Sequence, residues 1–203
     1  MIQGSPEWFA ARCGNVTASR ISDIVAQTKS GYAASRANYM SQLLCERLTG
    51  TVEESFQNEA MKWGTMQEPF ARAAYEALNN LFVDEVGYIP HPVIEHAGAS
   101  PDGLVRLDGM IEIKCKSTAN HIETILSGKV PKNHYDQMQW QIACTGRDWC
   151  DYVCYDPRMP HEHLKLFVKQ VVRDDKYIAE LEREVIKFLG ELQSKIDSLL
   201  SQL

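Results

Sequence analysis

A turn carrying an aspartate, Ser100-Pro101-Asp102-Gly103, precedes the short run Glu112-Ile113-Lys114. On an extended strand, Glu112 and Lys114 lie two residues apart and share one face, while Ile113 points to the other, into the core. Asp102 then sits at the lip of the preceding hairpin strand. An Asp and a Glu brought together this way form a hard-oxygen pocket suited to Mg²⁺ or Mn²⁺, with the Ile113 carbonyl as a further ligand. A lysine beside such an ion can orient a water and lower its pKa, giving a nucleophile for phosphodiester hydrolysis. The cation also stabilises the charge of a pentacovalent phosphorane. A surface turn followed by an amphipathic strand with solvated ends would carry the same letters, so the motif needs company.

Three features supply it. Glu68, in Trp63-Gly64-Thr65-Met66-Gln67-Glu68, is a carboxylate early in a helix that could reach the metal's outer shell; a favourable charge near a helix N-terminus is its structural alternative. Arg12 with Thr17-Ala18-Ser19 pairs a guanidinium with a hydroxyl-capped helix start, an anion pocket of phosphate size. Gln137-x-Gln139 offers amides to phosphates or base edges, or else a solvated helix face. Each has a plain structural explanation alone; their co-occurrence in this order favours function.

These residues need elements to position them. Ser5-Pro6-Glu7 opens a short helix with Ser as N-cap and Pro at the first position. Thr17-Ala18-Ser19 caps a second helix, from Arg20 to about residue 26. The periodicity predicts further helices over residues 36–48, with Tyr39, Leu43, Leu44 and Leu48 on one face, and 65–78, with Phe70, Ala74, Tyr75 and Leu78 inward. Short strands follow at 81–83, 86–89, 104–107 and 110–114, with Asp108-Gly109 as a hairpin turn. A helix over 133–145, strands at 151–155 and 164–172, and a long closing helix at 175–203 complete the chain. In the last, Ile178, Leu181, Val185, Phe188, Leu192, Ile196, Leu199 and Leu203 step by 3 or 4. That stripe either packs on its own core or, being near-heptad, serves an oligomer interface. The order predicts one α/β domain over residues 1–203, a central mixed sheet flanked by helices.

Composition narrows the class. The 203 residues are 44% hydrophobic and 24% charged, an ordinary globular balance that excludes disordered, collagenous and rod-like chains. No run approaches a membrane span, and the first residues show no secretory signal, so a cytoplasmic protein is expected. Net charge is −6, yet residues 51–110 alone hold 10 acidic against 3 basic side chains, leaving the rest able to grip phosphate locally. Of six cysteines, Cys144, Cys150 and Cys154 crowd together, but their spacing fits no usual zinc or iron–sulfur pattern. Cys150, Tyr152 and Cys154 alternate on one face of a strand, where free thiols act as small apolar residues.

The motifs Trp8-x3-Arg12-x-Gly14, Val16-Thr17-Ala18-Ser19, Trp63-Gly64-x3-Glu68, Ser100-Pro101-Asp102-Gly103-Leu104, Glu112-Ile113-Lys114-Cys115, Gln137-x-Gln139 and Tyr155-Asp156-Pro157-Arg158-Met159 span nearly the whole chain. In them the sequence resembles the lambda-type phage exonucleases, the YqaJ-type viral recombinases of the PD-(D/E)XK nuclease superfamily. The resemblance implies a restriction-endonuclease-like core and a Mg²⁺-dependent 5′→3′ exonuclease on linear double-stranded DNA, releasing mononucleotides and leaving 3′ overhangs. It implies that Asp102, Glu112 and the Ile113 carbonyl bind metal, Glu68 supports them and Lys114 activates water. It gives the 5′-terminal phosphate to Arg12, Ser19, Ser100 and one of Gln137 or Gln139. It further implies a homotrimeric ring, a single-strand-annealing protein as partner in recombination, and a phage or prophage origin. A PD-(D/E)XK endonuclease or junction resolvase, and a non-catalytic DNA-binding scaffold, are the competing readings.

Overall fold

The computed structural model describes residues 1–52 and 58–202. In chain order the elements are α1 (Pro6–Arg12), β1 (Val16–Thr17), a 3-10 turn (Ala18–Arg20), α2 (Ile21–Val25), β2 (Gln27–Thr28), β3 (Gly31–Tyr32), α3 (Ala34–Thr49) and α4 (Glu59–Asn79). Then come β4 (Val83–Asp84), β5 (Ile89–Pro90), β6 (Ala97–Ala99), β7 (Gly103–Val105), β8 (Gly109–Lys114), α5 (Thr118–Ser127) and α6 (Lys132–Thr145). The chain closes with β9 (Trp149–Tyr155), α7 (Glu162–Lys165), β10 (Leu166–Val172) and α8 (Asp175–Leu200).

The central five-stranded sheet has the order β10-β9-β8-β7-β4. It is mixed: β8 and β9 pair in parallel and the other neighbours are antiparallel. A parallel pair needs a long crossover, and α5 and α6 supply it. A second small sheet, β1-β6-β5, sits beside it. The sheet is buried on both faces. Met110, Cys150, Tyr152, Cys154 and Val171 pack against Met138 and Ile142 of α6. Ile111, Ile113 and Val153 pack against Ala71 and Tyr75 of α4. The alternation along β8 therefore sends Ile113 to the α4 side and Met110 to the α6 side, as a period of two demands. This is the central mixed sheet flanked by helices that the sequence predicts.

The closing helix resolves its two readings. Ile178, Leu181, Val185, Phe188, Leu192 and Ile196 are all buried, five of them in one cluster with residues of α2, α3 and α6. The stripe is spent on the chain's own core. Leu199 is 43% exposed, and Leu203 lies outside the described residues.

Elsewhere the structure corrects the reading of the elements. In α4 the buried stripe is Ala71 and Tyr75, while Phe70 and Leu78 are 61% and 67% exposed. The helix begins six residues before the expected start, at Glu59, and only a narrow i, i+4 stripe meets the sheet. The expected strands at 81–83 and 86–89 shrink to β4 and shift to β5. The structure adds α5, α7 and the strands β1, β2, β3 and β6 to the elements the sequence predicts; apart from α5 they are two to four residues long, and their shortness hides them from periodicity.

The β7–β8 hairpin forms, but Asp108-Gly109 is not its left-handed corner. That conformation falls to Arg106, at φ 51°, and Gly109 is already in β8, paired with Val105 and Trp149. Glycine is needed there for space: a Cβ would lie 2.0 Å from the Trp149 ring. Gly109→Ala is expected to cost about 1–3 kcal/mol through overpacking. In urea unfolding the midpoint falls while the slope stays unchanged.

Candidate active site

Three side chains separated in sequence by up to a dozen residues meet at the end of β8. The Asp102 carboxylate Oδ2 accepts the Ile113 backbone N–H at 2.6 Å, which ties the turn after β6 to the strand carrying Glu112 and Lys114. Glu112 is 1% exposed. Its Oε1 receives the Lys114 ammonium at 2.5 Å and the Gln137 amide at 2.7 Å, and its Oε2 receives the Gln141 amide at 2.6 Å. Gln137 and Gln141 lie four apart on α6, hence on one face, and together they clamp both oxygens of the carboxylate.

The electrostatics are those of like charges held together in a poorly solvated place. Burial, then the charges of Glu112 and Glu68, push the Asp102 carboxyl well above its ordinary range, against the opposing pull of Lys114 and the Ile113 N–H. Burial and the Glu112 charge also raise Glu68, despite Arg72. Arg72 donates to Glu68 at 3.3 Å and pairs with Glu85 at 2.6 Å, so Glu68 is fixed from α4. Burial disfavours the Lys114 ammonium, but the charges of Glu112 and Asp102 outweigh it and hold Lys114 protonated. A buried set of repelling carboxylates is costly unless a cation compensates it.

The residues fit a divalent cation of the hard type. Asp102 keeps its second oxygen, and all the donors are carboxylate or carbonyl oxygens. Among the described residues no three His, Cys, Asp or Glu side chains form a cage. Mg²⁺ seldom uses one; it takes one or two carboxylates and fills the remaining positions with water and substrate phosphate.

A second group lies next to the first. Trp8 Nε1–H of α1 donates to Ser100 Oγ at 2.9 Å, two residues before Asp102. The Arg12 guanidinium stacks 3.8 Å over the Trp8 ring. Burial pushes Arg12 below its ordinary value, and no carboxylate among the described residues pairs with it. An oriented, half-buried guanidinium without a counter-ion is suited to an anion.

Not every expected site residue joins. Gln139 is fully buried and points away from Gln137: its amide donates to the Val172 carbonyl at 2.8 Å and its oxygen accepts the Asp174 N–H at 3.0 Å. It anchors the start of α8, where Asp174 caps the helix, and is unavailable to a phosphate. One residue between i and i+4 must face elsewhere on a helix. Ser19 is exposed, and neither Thr17 nor Ser19 makes a capping hydrogen bond; the chain there turns through a 3-10 segment instead. Gln141 is absent from the sequence motifs, and Trp8 appears in them only as the start of Trp8-x3-Arg12, without a role; both are at the site. The i, i+4 spacing from Gln137 was the available signal for Gln141, and the spacing of four from Arg12 was that for Trp8.

The crowded thiols are packing residues. Cys144, Cys150 and Cys154 are buried within apolar clusters, and burial pushes all three above the ordinary thiol range, Cys154 to about 11.

Comparisons with known proteins place the chain among relatives. A family model described as the YqaJ-like viral recombinase domain matches residues 7–148, which include every residue of both groups. The alkaline exonuclease LHK-Exo from Laribacter hongkongensis is 52% identical, covering 98% of this chain and 97% of its own, with a TM-score of 0.91. The structure of LHK-Exo in complex with dAMP matches at 53% identity over the same shares, with a TM-score of 0.92. A phage-related exonuclease from Haemophilus somnus shares the fold at 16% identity, over 93% of this chain and 96% of that one, with a TM-score of 0.67. No curated protein matches. No helix among the described residues is long and apolar enough to cross a membrane. On the family match and the LHK-Exo identity together, the chain belongs to the YqaJ-like viral recombinase domain family, built on the PD-(D/E)XK nuclease fold.

Proposed function

We propose that the protein is a Mg²⁺-dependent exonuclease that degrades the 5′-ended strand of linear double-stranded DNA, releasing mononucleotides and leaving a 3′ overhang. The observation that carries this is the convergence of Asp102 with Glu112 and Lys114 at the end of β8, beside an Arg12 that has no counter-ion among the described residues. An alkaline exonuclease 52% identical, with a relative structure holding dAMP, supports it. The product class is that of the bound nucleotide.

Asp102, Glu112 and the Ile113 carbonyl would hold the ion, with Glu68 supporting them. When bound, Mg²⁺ supplies Lewis-acid stabilisation of charge developing on the phosphoryl oxygens. Lys114 faces the same space and holds the attacking water. The charges of Glu112 and Asp102 hold Lys114 protonated against its burial; compensating those charges would shift it toward the neutral amine that takes the water's proton. Water attacks phosphorus, the bond to the 3′-oxygen breaks, and a 5′-mononucleotide leaves. The shortened strand then carries a new 5′-phosphate, the anion for which Arg12, steered by Trp8 and Ser100, is set. Holding that phosphate behind the duplex end keeps the strand in register for the next step. A trimeric ring and a single-strand-annealing partner belong to the same reading.

The charge arrangement yields a linkage prediction. A carboxyl whose folded pKa is raised stabilises the fold at low pH, and that stability is lost as pH rises through the raised value. The metal-free protein therefore loses stability through Asp102 as pH rises from the ordinary carboxylate range through the raised value. Mg²⁺ binding removes the loss, because its ligands are bound deprotonated. Thermal unfolding with and without Mg²⁺ is expected to show a Tm increase that grows with pH. Asp102→Asn is expected to remove both the increase and its pH dependence. An equal Mg²⁺ effect at every pH would contradict the assignment of Asp102.

A further inference from the structure

Beyond Lys114 the chain runs Cys115-Lys116-Ser117 into α5, whose N-cap is Ser117. Lys116 is two residues past Lys114 and four past Glu112, continuing the side of the extended chain that faces α6. Its ammonium lies 5.4 Å from the centroid of the Tyr152 ring, and Tyr152 is the β9 residue paired with Glu112. The His134 ring of α6 stacks on the same tyrosine, with centroids 5.6 Å apart. The Tyr152 hydroxyl is buried without a hydrogen-bond partner among the described residues. The Lys116 backbone is also fixed, since its carbonyl accepts Arg158 Nη2 at 2.9 Å.

The cations around this edge are otherwise matched. Lys114 pairs with Glu112, Arg158 with the buried Asp156, and Arg72 with Glu68 and Glu85. Lys116 has no carboxylate within ion-pair distance among the described residues, and burial followed by the Lys114 charge disfavours its ammonium. The same surroundings act on His134, which burial, Lys114 and Lys116 push down to about 3. Positive charge thus lies between the end of β8 and the start of α6, with no carboxylate paired to Lys116 among the described residues. A cation held half-buried without a counter-ion has a place for a phosphate.

We infer that Lys116 is a binding residue that grips the DNA backbone at the phosphate next to the scissile one, with the Tyr152 and His134 rings as its wall. The inference rests on the nuclease reading above and adds a contact to it. Lys116 serves affinity and register; the bond-breaking chemistry stays with Lys114. Neutralising one phosphate-contacting lysine lowers the slope of log K against log salt by about 0.7–0.9 and weakens binding to all sequences alike.

The experiment measures binding of a 5′-phosphorylated linear duplex to the full chain in Ca²⁺ over a series of salt concentrations, for the wild type, Lys116→Gln, Lys116→Arg and the exposed remote Lys195→Gln. Lys116→Gln is expected to reduce the slope by nearly one, raise KM about tenfold and leave kcat within a factor of two. Lys116→Arg keeps the wild-type slope, and so does Lys195→Gln. Thermal unfolding of each variant checks that it is folded. A Lys116→Gln protein that is folded and keeps the wild-type slope overturns the inference and leaves the nuclease reading intact. A wild type whose binding is independent of salt, or that does not bind duplex, overturns the nuclease reading itself.

Discussion

Lys114→Ala lowers the single-turnover rate of mononucleotide release by about 10²- to 10⁴-fold, the range for loss of one positioned proton-transfer group. The expected signature is an equal fall in kcat and kcat/KM, because the lysine acts on water in the transition state rather than on bound DNA. The fold survives, since Glu112 keeps the amides of Gln137 and Gln141 at 2.7 and 2.6 Å. Lys114→Arg separates two roles. Arginine keeps the charge beside Glu112 but stays protonated in proteins, so it cannot take the water's proton. It is expected to bind DNA as tightly as the wild type and to be as slow as the alanine variant. Recovery of the rate with arginine would reduce Lys114 to an electrostatic role.

Arg12→Ala abolishes the distinction between DNA ends. A charge-assisted hydrogen bond to a buried cation contributes about 1.5–3 kcal/mol, so the wild type is expected to prefer a 5′-phosphoryl over a 5′-hydroxyl end by roughly 10- to 100-fold. In the variant that ratio falls close to one, and runs along a long duplex become short. Trp8→Phe tests how the arginine is aimed. It keeps an aromatic face 3.8 Å from the guanidinium but removes the N–H that reaches Ser100. An intermediate preference is expected, measured by competition between the two ends in one reaction. Unchanged processivity and preference in Arg12→Ala would mean that the strand is held in register elsewhere.

The parts of this site that could be read from the sequence are those whose geometry is local. Glu112, Ile113 and Lys114 lie on one strand, and strand alternation alone fixes their faces. The long apolar stripe of α8 is equally self-defining, although only the packed structure shows that its partner is its own core. Sequence order can list Asp102 beside that strand but cannot show the Ile113 N–H that holds it there. Gln139 illustrates the opposite failure. The pair Gln137-x-Gln139 looked like a unit, yet on a helix the true neighbour of Gln137 is Gln141. The cap expected of Thr17-Ala18-Ser19 does not form, because the chain there turns through a 3-10 segment. Phe70 and Leu78 failed because periodicity gives a helix an apolar side without saying how wide a stripe the sheet will cover.

Removal of nucleotides from a 5′ end is the activity this site is assigned. It is tested most directly with one linear duplex carrying a 5′-phosphate label and a 3′ label on the same strand, incubated with the protein and Mg²⁺ and followed for both labels. Early loss of the 5′ label as a mononucleotide is expected, with the 3′ label retained and the opposite strand intact. Internal fragments, earlier loss of the 3′ label, or no cleavage in Mg²⁺ or Mn²⁺ would contradict it.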